Sequence, residues 1–241
     1  MPLGNLRCDA LMKWAVIQIM PFRFPDATHR TAVLGMTGSG KSVFACWLLS
    51  HAAYDEMPWL IVDHKDDPDE IFNRVSTRLV TEIRPGATVP KRPGLYIVNP
   101  LPEDDDDAME VTLRDIWHRG RIGIYVDEGH LIDARASVFR HLLVTGRAKH
   151  IPMIVCSQRP VGVTPYLFTQ ANFFAVFQLQ TANDEKTVES YLSKDITRPL
   201  PEFHCRWRDV KARETIMLRP VDDPDTIVDR FNQRAPQPFW W

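Results

Sequence analysis

Short apolar runs recur along the chain, and each is followed by a polar or glycine-containing segment. The runs cover residues 32–34, 59–63, 95–98, 122–126, 152–156 and 173–179. Runs of this length and composition are typical of strands that are buried on both faces. Stretches with helical spacing lie between them, at residues 42–51, 68–74, 103–118, 136–144, around Tyr166, and at 184–192. The alternation predicts βαβ units, and therefore an α/β fold with a mostly parallel central sheet flanked by helices.

The two ends of the chain depart from this alternation. Residues 1–30 contain one further predicted strand, at 14–19, followed by a proline-containing loop. Residues 31–200 carry the alternation and form the predicted core, and residues 201–241 form a C-terminal extension. Because 241 residues are enough to bury one large core, we expect all three regions to belong to one compact domain.

The C-terminal extension predicts a β-hairpin, a short helix and a tail. Apolar and polar residues alternate between Phe203 and Trp207, and residues 214–218 can pair back as the second strand. Residues 226–231 have helical spacing. The tail ends in Phe239-Trp240-Trp241, and these aromatic residues can either anchor a contact with another protein or cover the chain's own core.

Composition narrows the class of protein. The chain is 44% hydrophobic and 25% charged, as in an ordinary soluble globular protein. Its formal net charge of -2 gives no overall basic bias, so any contact with nucleic acid must come from a local patch or from several subunits around a channel. The four cysteines are scattered, which supports neither a zinc site nor a disulfide framework and favours a reducing cytoplasm. The apolar run at 14–20 is too short to span a bilayer, so no membrane segment is predicted.

The strongest chemical signal is a P-loop that connects the first core strand to the following helix. The segment from Gly35 to Ser42 reads GMTGSGKS and matches G-x-x-x-x-G-K-S. The residues predicted to bind nucleotide are Gly35, Thr37, Gly38, Ser39, Gly40, Lys41 and Ser42. In this motif the backbone amides surround phosphate oxygens, the lysine reaches the β- and γ-phosphates, and the serine hydroxyl coordinates Mg²⁺. The sequence therefore predicts ATP and Mg²⁺ as cofactors.

A second signal is the pair of acids that ends the apolar run at 122–126. Alone, Asp127-Glu128 is the kind of pair that also occurs in solvated turns, but after a P-loop it matches the Walker B pattern. Asp127 is then predicted to hold Mg²⁺ through water, and Glu128 to orient or deprotonate the water that attacks the γ-phosphate. The second acid favours a hydrolase over a small-molecule kinase, which excludes water.

Two further polar residues are candidates for the same reaction. If the strand at 152–156 lies between the P-loop strand and the Walker B strand, Gln158 projects toward the γ-phosphate and can sense it; otherwise it is a glutamine that caps the strand. Arg147 follows the helix at 136–144 and can act as an arginine finger on a neighbouring subunit's γ-phosphate. It can equally be an exposed cation at a helix end.

Four segments together resemble the HerA/FtsK superfamily of P-loop ATPases that translocate DNA. They are GMTGSGKS, then Asp63-His64-Lys65, then YVDEGH, then GRAKHIPMIVCSQRP. They follow one another in the superfamily's order, and the match covers roughly residues 31–180. The chain looks most similar to the compact DNA-packaging ATPases of bacteriophages. The resemblance implies a RecA-like core with a catalytic glutamate, with Lys41, Ser42, Asp127, Glu128, Gln158 and the trans-acting Arg147 in the roles given above.

The resemblance also implies partners. A homo-oligomeric ring, a pentamer or hexamer, would bind ATP between subunits and double-stranded DNA in its channel, in the cytoplasm of the host or on the virion. A portal or capsid vertex protein would then be a further partner. Lys91 and Arg92, or four cations of the hairpin (Arg206, Arg208, Lys211, Arg213), are candidates for DNA contacts. Two other functions stay open: a zonula-occludens-toxin-like phage assembly ATPase and a nucleotide-dependent scaffold.

Overall fold

The structure is a computed structural model, and it describes residues 22–65, 71–101, 107–132 and 137–235. The strand predicted at 14–19 and the tail Phe239-Trp240-Trp241 lie outside the described residues. The division of the chain at residues 30 and 200 stays a prediction.

The described residues form an alternating series of strands and helices, as the apolar runs predict. The strands are β1 (Arg30–Leu34), β2 (Pro58–Val62), β3 (Val80–Glu82), β4 (Gly94–Val98), β5 (Gly123–Val126), β6 (Met153–Ser157), β7 (Phe173–Val176), β8 (Cys205–Asp209) and β9 (Glu214–Leu218). The α-helices are α1 (Lys41–Ser50), α2 (Ala108–Arg119), α3 (Ser137–Thr145), α4 (Pro165–Gln170), α5 (Ala182–Tyr191) and α6 (Pro224–Gln233). Short 3-10 helices lie at Ile71–Arg74, Gly146–Lys149 and Pro160–Gly162.

All the strands belong to one sheet, in the order β3-β4-β2-β5-β6-β1-β7-β8-β9. The strands from β3 to β7 in this order are parallel, whereas β8 and β9 pair antiparallel. Strand β6 lies between β1 and β5, with Leu34 opposite Ser157 and Val126 opposite Val155. This is the arrangement on which the prediction for Gln158 depends. The carboxyl ends of β1, β2, β5 and β6 therefore meet at one edge of the sheet, which we call the P-loop edge.

Helices cover both faces of the parallel strands. In β1, Ala32 and Leu34 belong to one buried cluster, together with residues of α2, α3, α4 and α5. Val33, between them, belongs to a second cluster that includes Leu48 of α1 and Phe231 of α6. Adjacent residues thus enter different cores because side chains alternate across a strand. The doubly covered, mostly parallel α/β sheet predicted from the apolar runs is confirmed.

The predicted hairpin is present and continues the same sheet. Phe174 of β7 lies opposite Arg208 of β8, and Trp207 lies opposite Ile216 of β9. Phe203 is not part of β8, although the alternating pattern begins there. Its φ of 57° lies in the left-handed region, so the chain turns at this residue before the strand starts.

One local prediction needs correction. The helix predicted at 68–74 is, over its described part, the 3-10 helix Ile71–Arg74. The glycine- and proline-rich loop at 86–94, which carries Lys91 and Arg92, is anchored in the core, because Val89 is fully buried. Thr112 of α2 holds this loop through its hydroxyl, which accepts from the Gly86 amide at 3.0 Å and donates to the Ala87 carbonyl at 3.1 Å. Long-range contacts of this kind leave no local signature in the sequence.

A substitution at the start of β5 tests the packing of the sheet. A Cβ on Gly123 would lie 2.1 Å from the indole ring of Trp59, its neighbour across the sheet. We expect Gly123→Ala to lower the free energy of unfolding by about 2–3 kcal/mol through overpacking, measured by urea denaturation. Trp59→Leu/Gly123→Ala serves as the control, because the smaller side chain leaves room for the methyl group. Additive losses in the double variant would contradict this account.

Candidate nucleotide-binding site

The P-loop lies at the P-loop edge between two strand ends. The Gly35 amide donates to the Ser157 carbonyl at 3.2 Å, and the Met36 amide donates to the Gln178 carbonyl at 2.8 Å. Gly40 has a φ of 92°, a conformation that suits glycine, and α1 begins at the next residue without a side-chain cap. An uncapped helix start of this kind presents its first amides and its positive dipole end to an anion.

The two acids predicted from the Walker B pattern face this loop. Both Asp127 and Glu128 are 2% exposed. The Ser42 hydroxyl lies 3.5 Å from Asp127 Oδ1, and Lys41 Nζ lies 3.6 Å from Glu128 Oε1. The fold therefore brings together the residues that the sequence assigned to nucleotide, metal and water.

Glu128 is held in an unusual backbone conformation. Its φ of 60° is in the left-handed region, which costs a residue with a Cβ about 1–2 kcal/mol. Its side chain is fixed by several partners: the Gln158 amide donates to Oε2 at 3.3 Å, and His130 Nδ1 lies 3.4 Å from the same oxygen. Strained residues of this kind concentrate at functional sites, where the surrounding contacts impose the conformation.

A second lysine, Lys65, shares these acids. Its Nζ lies 2.5 Å from Asp127 Oδ2 and 3.5 Å from Glu128 Oε1, and its amide donates to Asp63 Oδ1 at 2.9 Å. The sequence motifs assign Lys65 no role of its own. The available signal was its position just after β2, because β2 pairs directly with β5 and the two strands end at the same edge.

His64 belongs to the same surroundings. Burial lowers its pKa, and the neighbouring carboxylates, Asp63 first, oppose this effect only in part. The imidazole therefore favours its neutral form and adds no positive charge near the acids. Lys41 and Lys65 are the cations in contact with Asp127 and Glu128 within the described part of the chain.

The structure places Gln158 beside the P-loop. It follows β6, and its side-chain oxygen accepts a hydrogen bond from the Thr37 hydroxyl. Its backbone amide contacts Glu128, as described above. One residue thus touches both the loop that would hold phosphates and the acid that would activate water.

Arg147 does not reach the P-loop of its own chain. It lies on the 3-10 helix Gly146–Lys149, before β6, and is exposed. Its charge acts on Arg30, the first residue of β1, whose pKa is lowered by burial and further by Arg147. Arg147 is therefore at the opposite edge of the sheet, which we call the distal edge.

The donors present fit a nucleotide with a magnesium ion. Ser39 Oγ is buried in the loop and has no hydrogen-bond partner among the described residues, so it can serve an incoming phosphate. Ser42 and Asp127 offer hard oxygen ligands side by side. No group of three or more His, Cys, Asp or Glu side chains that could hold a metal occurs in the described ranges. Mg²⁺ is usually bound by few protein ligands, and phosphates and water complete its coordination.

Comparison with known proteins identifies the family. The chain is 36% identical over 223 residues to the DNA packaging ATPase P9 of Enterobacteria phage PRD1, covering 88% of this chain and 96% of that protein. The chain belongs to the P9 family of packaging ATPases. Residues 22–114 also match the sequence profile of the central domain of helicase HerA. The resemblance predicted from the four motifs is confirmed.

Solved structures agree on the fold. The genome packaging NTPase B204 of Sulfolobus turreted icosahedral virus 2, solved with ATP-γS, superposes with a TM-score of 0.60 at 16% identity, over 82% of this chain and all of that one. The cytoplasmic domain of the type VII secretion ATPase EccC of Thermomonospora curvata gives a TM-score of 0.59 at 15% identity, over 90% of this chain and 29% of that one. At these identities the likeness shows the P-loop ATPase fold and no more.

One negative finding bears on the membrane. Across 22–65, 71–101, 107–132 and 137–235, none of the helices combines the length and the apolar character needed to cross a bilayer.

The balance of charge around the acids can be tested through stability. We expect Lys65→Met to lower the free energy of unfolding by about 1–2 kcal/mol without nucleotide, because two buried carboxylates lose a cation; the partial exposure of Lys65 keeps the effect small. Thermal unfolding in EDTA measures this change. Lys91→Met, at an exposed lysine, is the matched control. A loss no larger than that of the control, or one that adds fully to the effect of Asp127→Asn, would contradict the expectation.

Proposed function

We propose that this protein is an ATP-driven motor that moves double-stranded DNA into a viral capsid. The observation that carries the proposal is the buried pair Asp127 and Glu128 facing a P-loop across one intervening strand, in a chain of the P9 family. An acid placed beside the P-loop in addition to the metal-binding one is suited to hydrolysis of a phosphoanhydride by water.

Different residues of the chain bind the phosphates and the metal ion. The amides of residues 35–42 and the start of α1 hold the phosphates, and Lys41 contributes a positive charge to them. Ser42 and Asp127 would hold Mg²⁺, which when bound would neutralise phosphate charge and stabilise the charge that develops on the phosphate oxygens.

Glu128 is the proposed base. In the structure its Oε1 lies 3.6 Å from Lys41 Nζ and 3.5 Å from Lys65 Nζ, so two cations already engage this oxygen. Phosphates in the P-loop compete for Lys41, which weakens one of these contacts. Nucleotide binding would therefore release the base as it brings the substrate, so that water is activated only when ATP is in place.

Gln158 is the proposed sensor of the γ-phosphate. Its contact with Thr37 is on the loop, and its amide contact is on Glu128. A γ-phosphate that takes over the side-chain amide would break the Thr37 contact and pull on the segment that holds Glu128. Gln158 would thus report the presence of ATP rather than ADP to β6 and the segment that follows it.

Arg147 is the proposed arginine finger of a neighbouring subunit. It lies on the distal edge, so it can meet a P-loop only if the distal edge of one subunit faces the P-loop edge of the next. Such head-to-tail contacts close into a ring when the rotation between subunits allows it. The expected assembly is a homo-oligomeric ring, a pentamer or hexamer, with ATP between subunits.

DNA contacts are expected at the distal edge rather than on the hairpin. Two hairpin cations are engaged by backbone carbonyls: Arg206 by residues 196, 198 and 199, and Arg208 by Arg213. Lys91 and Arg92 are exposed, and Lys91 lines an open groove with the exposed Arg121 and one acid, Glu56. Lysine and arginine side chains in such a groove can bind phosphates without reading sequence.

The packaging role implies where the protein works. We expect it in the cytoplasm of an infected host and, while packaging lasts, at a capsid vertex with a portal or vertex protein as partner. Lys211 and Arg213 at the exposed turn of the hairpin remain available for such a partner.

The proposed base Glu128 and the role of DNA can be tested by measuring ATP hydrolysis. We expect linear double-stranded DNA to stimulate steady-state ATP turnover, and Glu128→Gln to reduce that turnover by about 10²-fold or more while ATP binding persists. Glu82→Gln, at an exposed position of β3, is the matched control and should leave turnover unchanged. Turnover indifferent to DNA would overturn the motor and leave an ATPase whose partner is a protein.

The proposed action of Arg147 between neighbouring subunits can be tested with mixed assemblies. Arg147→Ala should lower turnover by about 10³-fold, as expected for loss of an arginine finger, and the exposed Arg114→Ala should not. Mixing Arg147→Ala with Lys41→Ala subunits should restore part of the activity, because an intact P-loop then faces an intact arginine. Full activity of Arg147→Ala alone, or no recovery in the mixture, would exclude Arg147 as a finger acting between subunits.

A further inference from the structure

One aromatic residue beside the P-loop has no role in the chemistry described so far. Phe203 lies between α5 and β8, and it is 47% exposed although its ring packs close to the loop. Its Cδ1 lies 3.3 Å from the position that a Cβ on Gly40 would take, and the ring of Phe177 lies 3.8 Å from the same point. Phe203 also has a left-handed φ of 57°, a strained conformation for a bulky residue. An exposed aromatic residue in a strained conformation beside the P-loop is well placed to contact a bound ligand.

The two sides of the P-loop are chemically different. On the β6 side, Gln158 contacts Thr37, and the acids Asp127 and Glu128 lie one strand further on. On the β7 side, the loop meets Phe177, which follows β7, and Phe203, which precedes β8. One side is polar and acidic, and the other is aromatic.

This asymmetry fixes the direction of a bound nucleotide. The γ-phosphate must lie on the side of Asp127 and Glu128, because the metal and the attacking water are needed there. The remaining phosphates then run along the loop toward Gly40 and the start of α1. The nucleoside is expected to leave the loop on the β7 side, where the exposed face of Phe203 is available.

We propose that Phe203 stacks on the purine base of the bound nucleotide and forms the base subsite of the ATP site. The inference rests on the proposed function, because it takes the P-loop as the phosphate site. Every base offers a π-face, so stacking adds affinity without selecting one base by hydrogen bonds. We therefore expect the site to accept other purine nucleoside triphosphates as well as ATP.

A ligand with phosphates but no base separates this role from a structural one. Calorimetric titration of Phe203→Ala with Mg²⁺-ADP should show affinity reduced by about 10-fold or more, the usual effect of one lost stacking contact. Titration with inorganic tripolyphosphate should give the same affinity as for the unchanged chain, because the phosphate contacts remain. Met217→Ala removes another exposed apolar side chain, from β9 of the hairpin, and should change neither titration.

A tryptophan at the same position gives an independent readout. Phe203→Trp should keep the affinity for ADP, and its fluorescence should change with ADP but not with tripolyphosphate. Equal weakening of both ligands by Phe203→Ala would mean that the ring only supports the P-loop, and unchanged ADP affinity would mean that it does not meet the base. Either result overturns the inference while the proposed function stands. Failure of the unchanged chain to bind either ligand would overturn both.

Discussion

Two carboxylates that are almost fully buried between two lysines determine which other groups this site must contain. Asp127 and Glu128 are too buried to be stable as unpaired charges, so the fold must deliver compensating groups to them. Lys41 comes from the P-loop and Lys65 from the end of a different strand. Without nucleotide, the charge of the two acids is therefore balanced by these two lysines. A nucleotide would draw Lys41 to its phosphates, whereas Lys65 follows a strand of the sheet and is not part of the P-loop.

The parallel sheet is what makes this delivery possible. Residues far apart in the sequence meet because β2, β5, β6 and β1 are neighbours and all end at the same edge. The order also separates the roles in space: acids lie after β5, the contact from Gln158 comes after β6, and the phosphate loop comes after β1. A shift of one strand in this order would leave Glu128 without its contact to the Gln158 amide. Strand order therefore matters to the chemistry as much as any single side chain.

Much of this could be predicted from sequence because the signals are local. Continuous apolar runs predict buried parallel strands, and GMTGSGKS predicts its own turn and helix start, so both appeared where expected. Lys65 was missed as a partner of the acids because its role depends on β2 lying next to β5, which no local pattern encodes. Phe203 was assigned to the buried face of a strand by its alternation with Cys205 and Trp207. Its left-handed backbone turns it toward Gly40 instead, a contact between residues more than 160 positions apart.

The same edges that organise one subunit constrain how several can assemble. The P-loop edge carries the acids and lysines of the nucleotide site, and the distal edge carries Arg147 and Lys149 on the 3-10 helix before β6. In a two-fold symmetric contact each edge would face the same edge of the partner subunit. Either two sets of P-loop groups or two sets of cations would then meet. A head-to-tail contact pairs the phosphates bound at one edge with cations from the other, which electrostatics favours. Nucleotide would then be part of the interface, and release of the γ-phosphate after hydrolysis would weaken the contact between those two subunits in particular.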